Sequence, residues 1–303
     1  MIQSPLNYTG GKFKLLPQIL PLFPNKIDTF VDLFCGGCNV GINVKASKHI
    51  YNDTNIYLLY LYNTFKNNDK DIILETIYNI INKYNLSLVS KYGYDHYGCD
   101  SSNGLGNYNK ENFLKMRNDF NFHTNEDYYY YILLYVLIVY SFNNQIRFNK
   151  NGKFNLPVGK RDFNKKMEQK LCVFIDTIKA QDSNFSCMDF NDFDISVLTE
   201  RDFVYLDPPY LITCATYNEQ DGWNDDKEKQ LLAFIERLTN SNIKCALSNV
   251  LRSKGKENSI LIEWLDRHSN KYTVHQLNYT YANSNYQTKD KSNSSQEVLV
   301  TNY

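Results

Sequence analysis

The run Phe203-Val204-Tyr205-Leu206 is apolar throughout and stops at Asp207-Pro208-Pro209-Tyr210. Proline has no N–H to give to a sheet ladder, so two in succession end any strand that reaches them. A short apolar run of this kind reads as a strand buried in a sheet, and in open α/β sheets ligands sit beyond the carboxyl ends of the strands. The chain therefore has to build a sheet whose strand ends are punctuated, with Asp207 presented just past one of them.

The surrounding sequence supplies the rest of such a sheet. "DTFVDLFCGG" (28–37) reads as a strand entering a glycine turn, "CNVGINVKA" as a helix, and "KHIYND" (48–53) as a second strand closed by an acid. This β-turn-α-β order opens a doubly wound fold. "RDFVYLDPPY", "NIKCALSNV", "YTVHQLNYTYA" and "SQEVLVTNY" read as further strands. "DDKEKQLLAFIERLT" (225–239) spaces Leu231, Leu232, Phe234, Ile235 and Leu238 as the apolar face of a helix, and "ENSILIEWLDRH" reads as another. Residues 56–142 have a mostly helical pattern, broken by the polar tract "KYGYDHYGCDSSNGLGNYN" (91–109). In "NQIRFNKNGKFNLPVGKR" (144–161), Asn151-Gly152 separates two alternating runs, the strongest short-range hairpin signal. An α/β domain interrupted by a helical insert with one hairpin is the expected architecture. A hydrophobic content of 43% over 303 residues suffices for its core.

Formal net charge is zero, which argues against a globally basic nucleic-acid binder. The charge is nevertheless local: Arg147, Lys150, Lys153, Lys160, Arg161, Lys165, Lys166 and Lys170 face only Asp162 and Glu168 between 147 and 170. A solvated face is the plain alternative. The run "YYYYILLYVLIVYSF" (128–142) is shorter than the ~20 apolar residues of a membrane span and reads as a buried helix. Seven scattered cysteines and no charged-then-apolar leader predict a cytoplasmic chain without disulfides or membrane contact. Cys35 and Cys38 have no second cysteine pair and no closely spaced histidine pair beside them, so small buried thiols are expected there and no metal.

Two places carry chemistry. Gly36, Gly37 and Gly41 follow a strand and precede a helix, where glycine admits close approach of the backbone. The pattern is not G-x-G-x-x-G, so it does not indicate a dinucleotide. Asp53, at the end of the second strand, is placed as ribose-binding carboxylates are. At Asp207-Pro208-Pro209-Tyr210 a carboxylate and a rigid main-chain carbonyl stand beside an aromatic ring. Two acceptors beside a flat surface suit an amino group on a planar base. That nitrogen is a poor nucleophile because its lone pair is delocalised, and acceptors on its hydrogens favour a tetrahedral nitrogen with the lone pair directed outward.

Asp-Pro-Pro-Tyr resembles the signature of S-adenosylmethionine-dependent amino-methyltransferases. "PLNYTGGK" (5–12), the order of motifs and the hairpin resemble the Dam-type DNA adenine-N6 methyltransferases (D12 class, alpha group), and "DPPYLIT" and "LSNVLRSKGKENSILIEW" look like the Dam enzymes of T-even phages. The resemblance implies a Rossmann-like methyltransferase fold with a mixed, mostly parallel seven-stranded sheet. It implies a catalytic domain at 1–57 and 163–303 and an inserted DNA-recognition domain at 58–162. The substrate would be double-stranded DNA, modified at adenine in GATC after base flipping, by a monomer or weak dimer. Tyr8, Lys12, Phe34, Gly36, Asp53, Asp189, Phe190 and Asp207 match cofactor positions. Asp207, Pro208 and Tyr210 match the catalytic motif, with Tyr210 stacking on the target base. Asn144, Arg147, Pro157, Lys160 and Arg161 match DNA contacts, with Arg147 reading a guanine.

Two departures stand out. Gln145 occupies a position where relatives carry an apolar wedge, and Asn7 stands where some cellular members have a base-reading lysine. Two rival classes are kept: an RNA or protein amino-methyltransferase, whose motif is commonly Asn-Pro-Pro-Tyr, and a DNA-binding homologue without catalysis.

Overall fold

The computed structural model describes residues 1–212, 222–278 and 295–303. The end of the predicted run to Ala282 lies outside the described residues. The chain forms two compact units. One comprises residues 12–35, 43–54 and 182–303; the other comprises residues 1–11, 36–42 and 55–181.

The first unit is built on a sheet. Its strands are β1 (Thr29–Asp32), β2 (Lys48–Asn52), β3 (Ser183–Ser186), β4 (Phe203–Leu206), β5 (Lys244–Ser253), β6 (Lys256–Glu257), β7 (Thr273–Leu277) and β8 (Gln296–Thr301). Seven of them run in the order β3-β2-β1-β4-β5-β8-β7, and the two-residue β6 pairs with β5 off that path. β3, β2, β1, β4 and β5 are mutually parallel, whereas β8 runs antiparallel to both β5 and β7. The expected mixed, mostly parallel α/β sheet is therefore present, with one short strand added.

All four residues of β4 are buried, as a strand covered on both faces requires, and it ends before Asp207. Helix Asp225–Asn240 buries Leu231, Leu232, Phe234, Ile235 and Leu238 as the periodicity predicts. Asn224 caps it by accepting from the Lys227 N–H, and three acidic residues in its first turn complement the helix dipole. The helix expected after the glycine turn is only a 3₁₀ turn at Gly41–Asn43. Cys35 and Cys38 are both buried, as expected.

The second unit holds helices Ile56–Asn67, Lys70–Lys83, Gly106–Asn121, Tyr128–Tyr140 and Lys165–Ala180. The tyrosine-rich helix is its centre, with every residue from Tyr130 to Tyr140 buried. Helix Lys165–Ala180 went unread in the sequence, although it buries Leu171, Phe174, Ile175 and Ile178 at helical spacing. Among the described residues no helix is long and apolar enough to cross a membrane.

Candidate active site and recognition hairpin

In the sheet unit, strand order reverses between β1 and β4, the switch point where α/β sheets open a crevice. Phe34 follows β1, Asp53 follows β2, Asp189 follows β3 and Asp207 follows β4, so one edge collects these groups. Asn52, buried and unremarked in the sequence, ties that edge together. Its amide donates to the carbonyls of Leu33 and Met188, both at 3.0 Å, and its Oδ1 accepts from Ser186 Oγ and the Met188 N–H.

Asp207 is the centre of a buried polar cluster. Lys12 Nζ lies 2.9 Å from its Oδ1, and the Tyr210 hydroxyl donates to the same oxygen at 3.1 Å. Tyr210 also reaches Glu297 Oε1 at 3.2 Å, and Lys12 Nζ lies 3.9 Å from that oxygen. The ammonium sits 4.8 Å from the Tyr210 ring centroid. Lys12 and Glu297 are 3% and 0% exposed, so both charges act in a poorly solvated setting. Burial raises the Asp207 pKa above the usual carboxylate range, and Lys12 and Tyr210 only partly offset it. The Tyr210 ring is itself buried, with its hydroxyl directed inward.

Phe34 and Phe190 face each other at 5.6 Å with a 40° tilt, and Trp223 contacts both at 5.9 and 5.8 Å. Asp189 caps the turn at Phe190–Asp192, and Lys227 Nζ meets it at 2.7 Å. Burial opposes ionisation of Asp189, but Lys227 and the Asn191 donors outweigh it and hold the carboxyl below its usual range. Behind Trp223, fully buried Glu228 accepts from Trp223 Nε1, Asn249 and Asn258. The acceptors Asp53 and Asp189 with the rings of Phe34 and Phe190 make a set that fits a nucleoside, whose flat amine-bearing ring and vicinal hydroxyls are donors. Sequence reading missed Trp223, Lys227, Glu228 and Glu297. Only Glu228 carried a signal, as an acid on the apolar side of its helix.

In the helical unit, Tyr8 covers the glycine turn. A Cβ on Gly36, where φ is +45°, would lie 2.7 Å from the Tyr8 ring, and one on Gly37 would lie 2.9 Å from Tyr8 Cβ. The glycines are thus required by an internal contact. Tyr62 fixes the turn by donating to the Gly36 carbonyl at 2.7 Å.

The predicted hairpin reverses at Asn149–Gly152, but only two bridges join its arms, Ser141↔Val158 and Phe148↔Phe154. Side chains of helix Gly106–Asn121 complete the second arm. Asn121 bonds both the N–H and the carbonyl of Phe154, and Arg117 donates to the Leu156 carbonyl. The polar tract 91–109 serves the same arm, since the Leu105 N–H donates to the Lys160 carbonyl. Arg147, Pro157, Lys160 and Arg161 are exposed. Asn155 holds the Arg147 guanidinium through Nε at 2.8 Å and Nη2 at 3.3 Å. Asn144 is buried, with its amide on the Val139 carbonyl, and Asn7 donates to the Asn143 carbonyl.

Residues 8–283 match the family model described as D12 class N6 adenine-specific DNA methyltransferase. The chain belongs to the D12 class N6 adenine-specific DNA methyltransferases. Similar D12-class or related proteins include the type II methyltransferase M.FokI of Planomicrobium okeanokoites, 42% identical across 100% of this chain and 43% of the relative. The modification methylase StsI of Streptococcus sanguinis is 41% identical with the same coverage. The DNA adenine methylase of Escherichia coli K12 is 25% identical over 80% of this chain and 79% of its own length. This D12-class chain thus spans less than half the length of the first two relatives.

Proposed function

We propose that the chain is a site-specific DNA methyltransferase that transfers a methyl group from S-adenosylmethionine to N6 of adenine in double-stranded DNA. The carrying observation is Asp207, set just past β4 at the switch point and bound by Lys12 and Tyr210. Asp207 and the rigid Pro208 carbonyl accept hydrogen bonds from the target amine and aim its lone pair. S-adenosylmethionine, when bound, supplies an electrophilic methyl group on a cationic sulfur. Phe34 and Phe190, packed against each other, lie beside the cofactor's purine, Asp189 accepts from its amine, Asp53 takes the ribose, and Lys12 is a further cofactor contact; Tyr8 and Gly36 match cofactor positions of the family. The target adenine leaves the duplex stack, at a cost of a few kcal/mol, and Tyr210 offers it an aromatic surface. Catalysis is then chiefly alignment of nitrogen with methyl carbon.

Recognition falls to the hairpin. Arg147 reads a guanine, Lys160 and Arg161 engage phosphates, and Asn144 and Pro157 shape the contact surface. GATC is the target that the hairpin's resemblance to Dam-type enzymes favours. Residues 58–162 act as the recognition domain, and 1–57 with 163–303 as the catalytic one. The protein works in the cytoplasm as a monomer or weak dimer, and the names of its relatives favour a modification role beside a restriction enzyme.

The test is incorporation of labelled methyl into duplex DNA, RNA and protein, followed by sequencing of the modified adenines. N6-methyladenine confined to GATC in duplex DNA is expected. Methylation at another sequence overturns the GATC assignment alone, whereas labelling of RNA or protein instead, or no labelling, overturns the reading.

A further inference from the structure

Glu228 is an acid with no exposed surface, and it is bound by neutral donors at both of its oxygens. Trp223 Nε1 donates to Oε2, while the side-chain amides of Asn249 and Asn258 donate to Oε1 at 3.2 and 2.7 Å. Each asparagine is turned that way by its own Oδ1, which accepts from the Val250 N–H in one case and the Leu261 N–H in the other. Asn249 belongs to β5, and Asn258 caps helix Ser259–Arg267, so two separate elements fix the amides. Both asparagines lie in the run "LSNVLRSKGKENSILIEW". Burial raises the Glu228 pKa, and the three donors partly offset it. At the far side of this link, Trp223 touches Phe34 and Phe190, the two rings assigned to the cofactor's purine.

We propose that Glu228 is a positioning residue that holds the Trp223 indole as the third ring of the purine site, with Asn249 and Asn258 as its anchor. The inference rests on the cofactor reading above. An ionised carboxylate only accepts, so it satisfies donors at both ends at once. A glutamine of the same shape cannot, because its NH2 would face either the indole N–H or the two asparagine amides. An aromatic ring fixed in advance loses little freedom when the ligand arrives, which strengthens binding. The preceding residue, Lys227, holds Asp189 at 2.7 Å, so the first turn of one helix supports both an aromatic and an acceptor group of the site.

The test compares wild type, Glu228→Gln and Trp223→Phe in the full chain, with S-adenosylmethionine as the titrant. The chain has two tryptophans, so the emission of Trp223 is the difference between wild type and Trp223→Phe. In Glu228→Gln that emission shifts to the red before any ligand is added, as the indole loses its partner and meets water. The Kd for S-adenosylmethionine, measured by calorimetry, rises about tenfold, the scale of one base–aromatic contact. In transfer assays the loss falls on KM for the cofactor more than on kcat. A lowered Tm in Glu228→Gln with either the emission or the Kd unmoved marks a merely structural acid and overturns the proposal, as does a variant that behaves as wild type. If Glu228→Gln does not fold, Trp223→Phe decides, since it keeps a ring and removes the N–H that Glu228 holds. Weakened cofactor binding in that variant supports the proposal, and wild-type affinity overturns it. A wild-type chain that binds S-adenosylmethionine but transfers no methyl would refute the proposed activity and leave this inference standing, whereas one that does not bind it would overturn both.

Discussion

Asp207 occupies a place that disfavours its own charge. As the pH falls through its raised pKa the carboxyl takes up a proton and stops accepting from an amine, so the rate of transfer should drop above the usual carboxylate range of about 4. The stability linkage has the corresponding sign. A carboxyl whose pKa is raised in the fold stabilises the folded state below the ordinary value, and this contribution is lost as pH rises through the raised one. Asp207→Ala should lower single-turnover transfer by on the order of 10²–10³ or more while the protein still folds and binds DNA. Full activity in that variant would remove its catalytic role. Arg147→Ala should cost about 1–3 kcal/mol of discrimination at one base pair with little change in non-specific affinity, and competition between cognate and mismatched duplexes measures this.

At the scale of elements, the hairpin depends on a helix more than on its own ladder. Asn121 and Arg117 satisfy backbone groups that a regular partner strand would otherwise bond. Its base is also sterically tight: a Cβ on Gly159 would lie 2.2 Å from the Ser141 carbonyl oxygen. Gly159→Ala should therefore spread the base of the hairpin at a cost of about 1–3 kcal/mol. Specific DNA affinity should fall while cofactor affinity, measured by calorimetry, stays at the wild-type value. Parallel loss of both would show that the substitution disrupts more than the hairpin. Asn-Gly made the turn legible in the sequence, but the two-bridge ladder was not, because its missing partners are side chains 33 and 39 positions away.

For the whole molecule, zero net charge leaves DNA attraction to local clusters. The salt dependence of binding should then report individual hairpin cations. Lys160→Ala should lower the slope of log K against log salt by about one and weaken all sequences alike, as followed by anisotropy between low and moderate salt. An unchanged slope would exclude Lys160 from phosphate contact. Cofactor should stabilise the protein by about 2.7 kcal/mol at 100 times its Kd, seen as a rise in Tm.

The sequence by itself determined the elements with strong local signals. Phe203–Leu206 halted by Pro208-Pro209, the apolar face of 225–239 and the uniformly buried 128–140 all declare their structure through residues close in the chain. The motif order likewise sufficed for the family. Only the tertiary structure decided how Lys12, Asp207 and Glu297 combine into one charged cluster. These residues are 195 and 90 positions apart, and nothing local marks Glu297 among the apolar residues of its strand. Strand order and the reversed direction of β8 bring them together, and pairing between distant strands is decided by the packing of the whole sheet rather than by the preferences of any one segment.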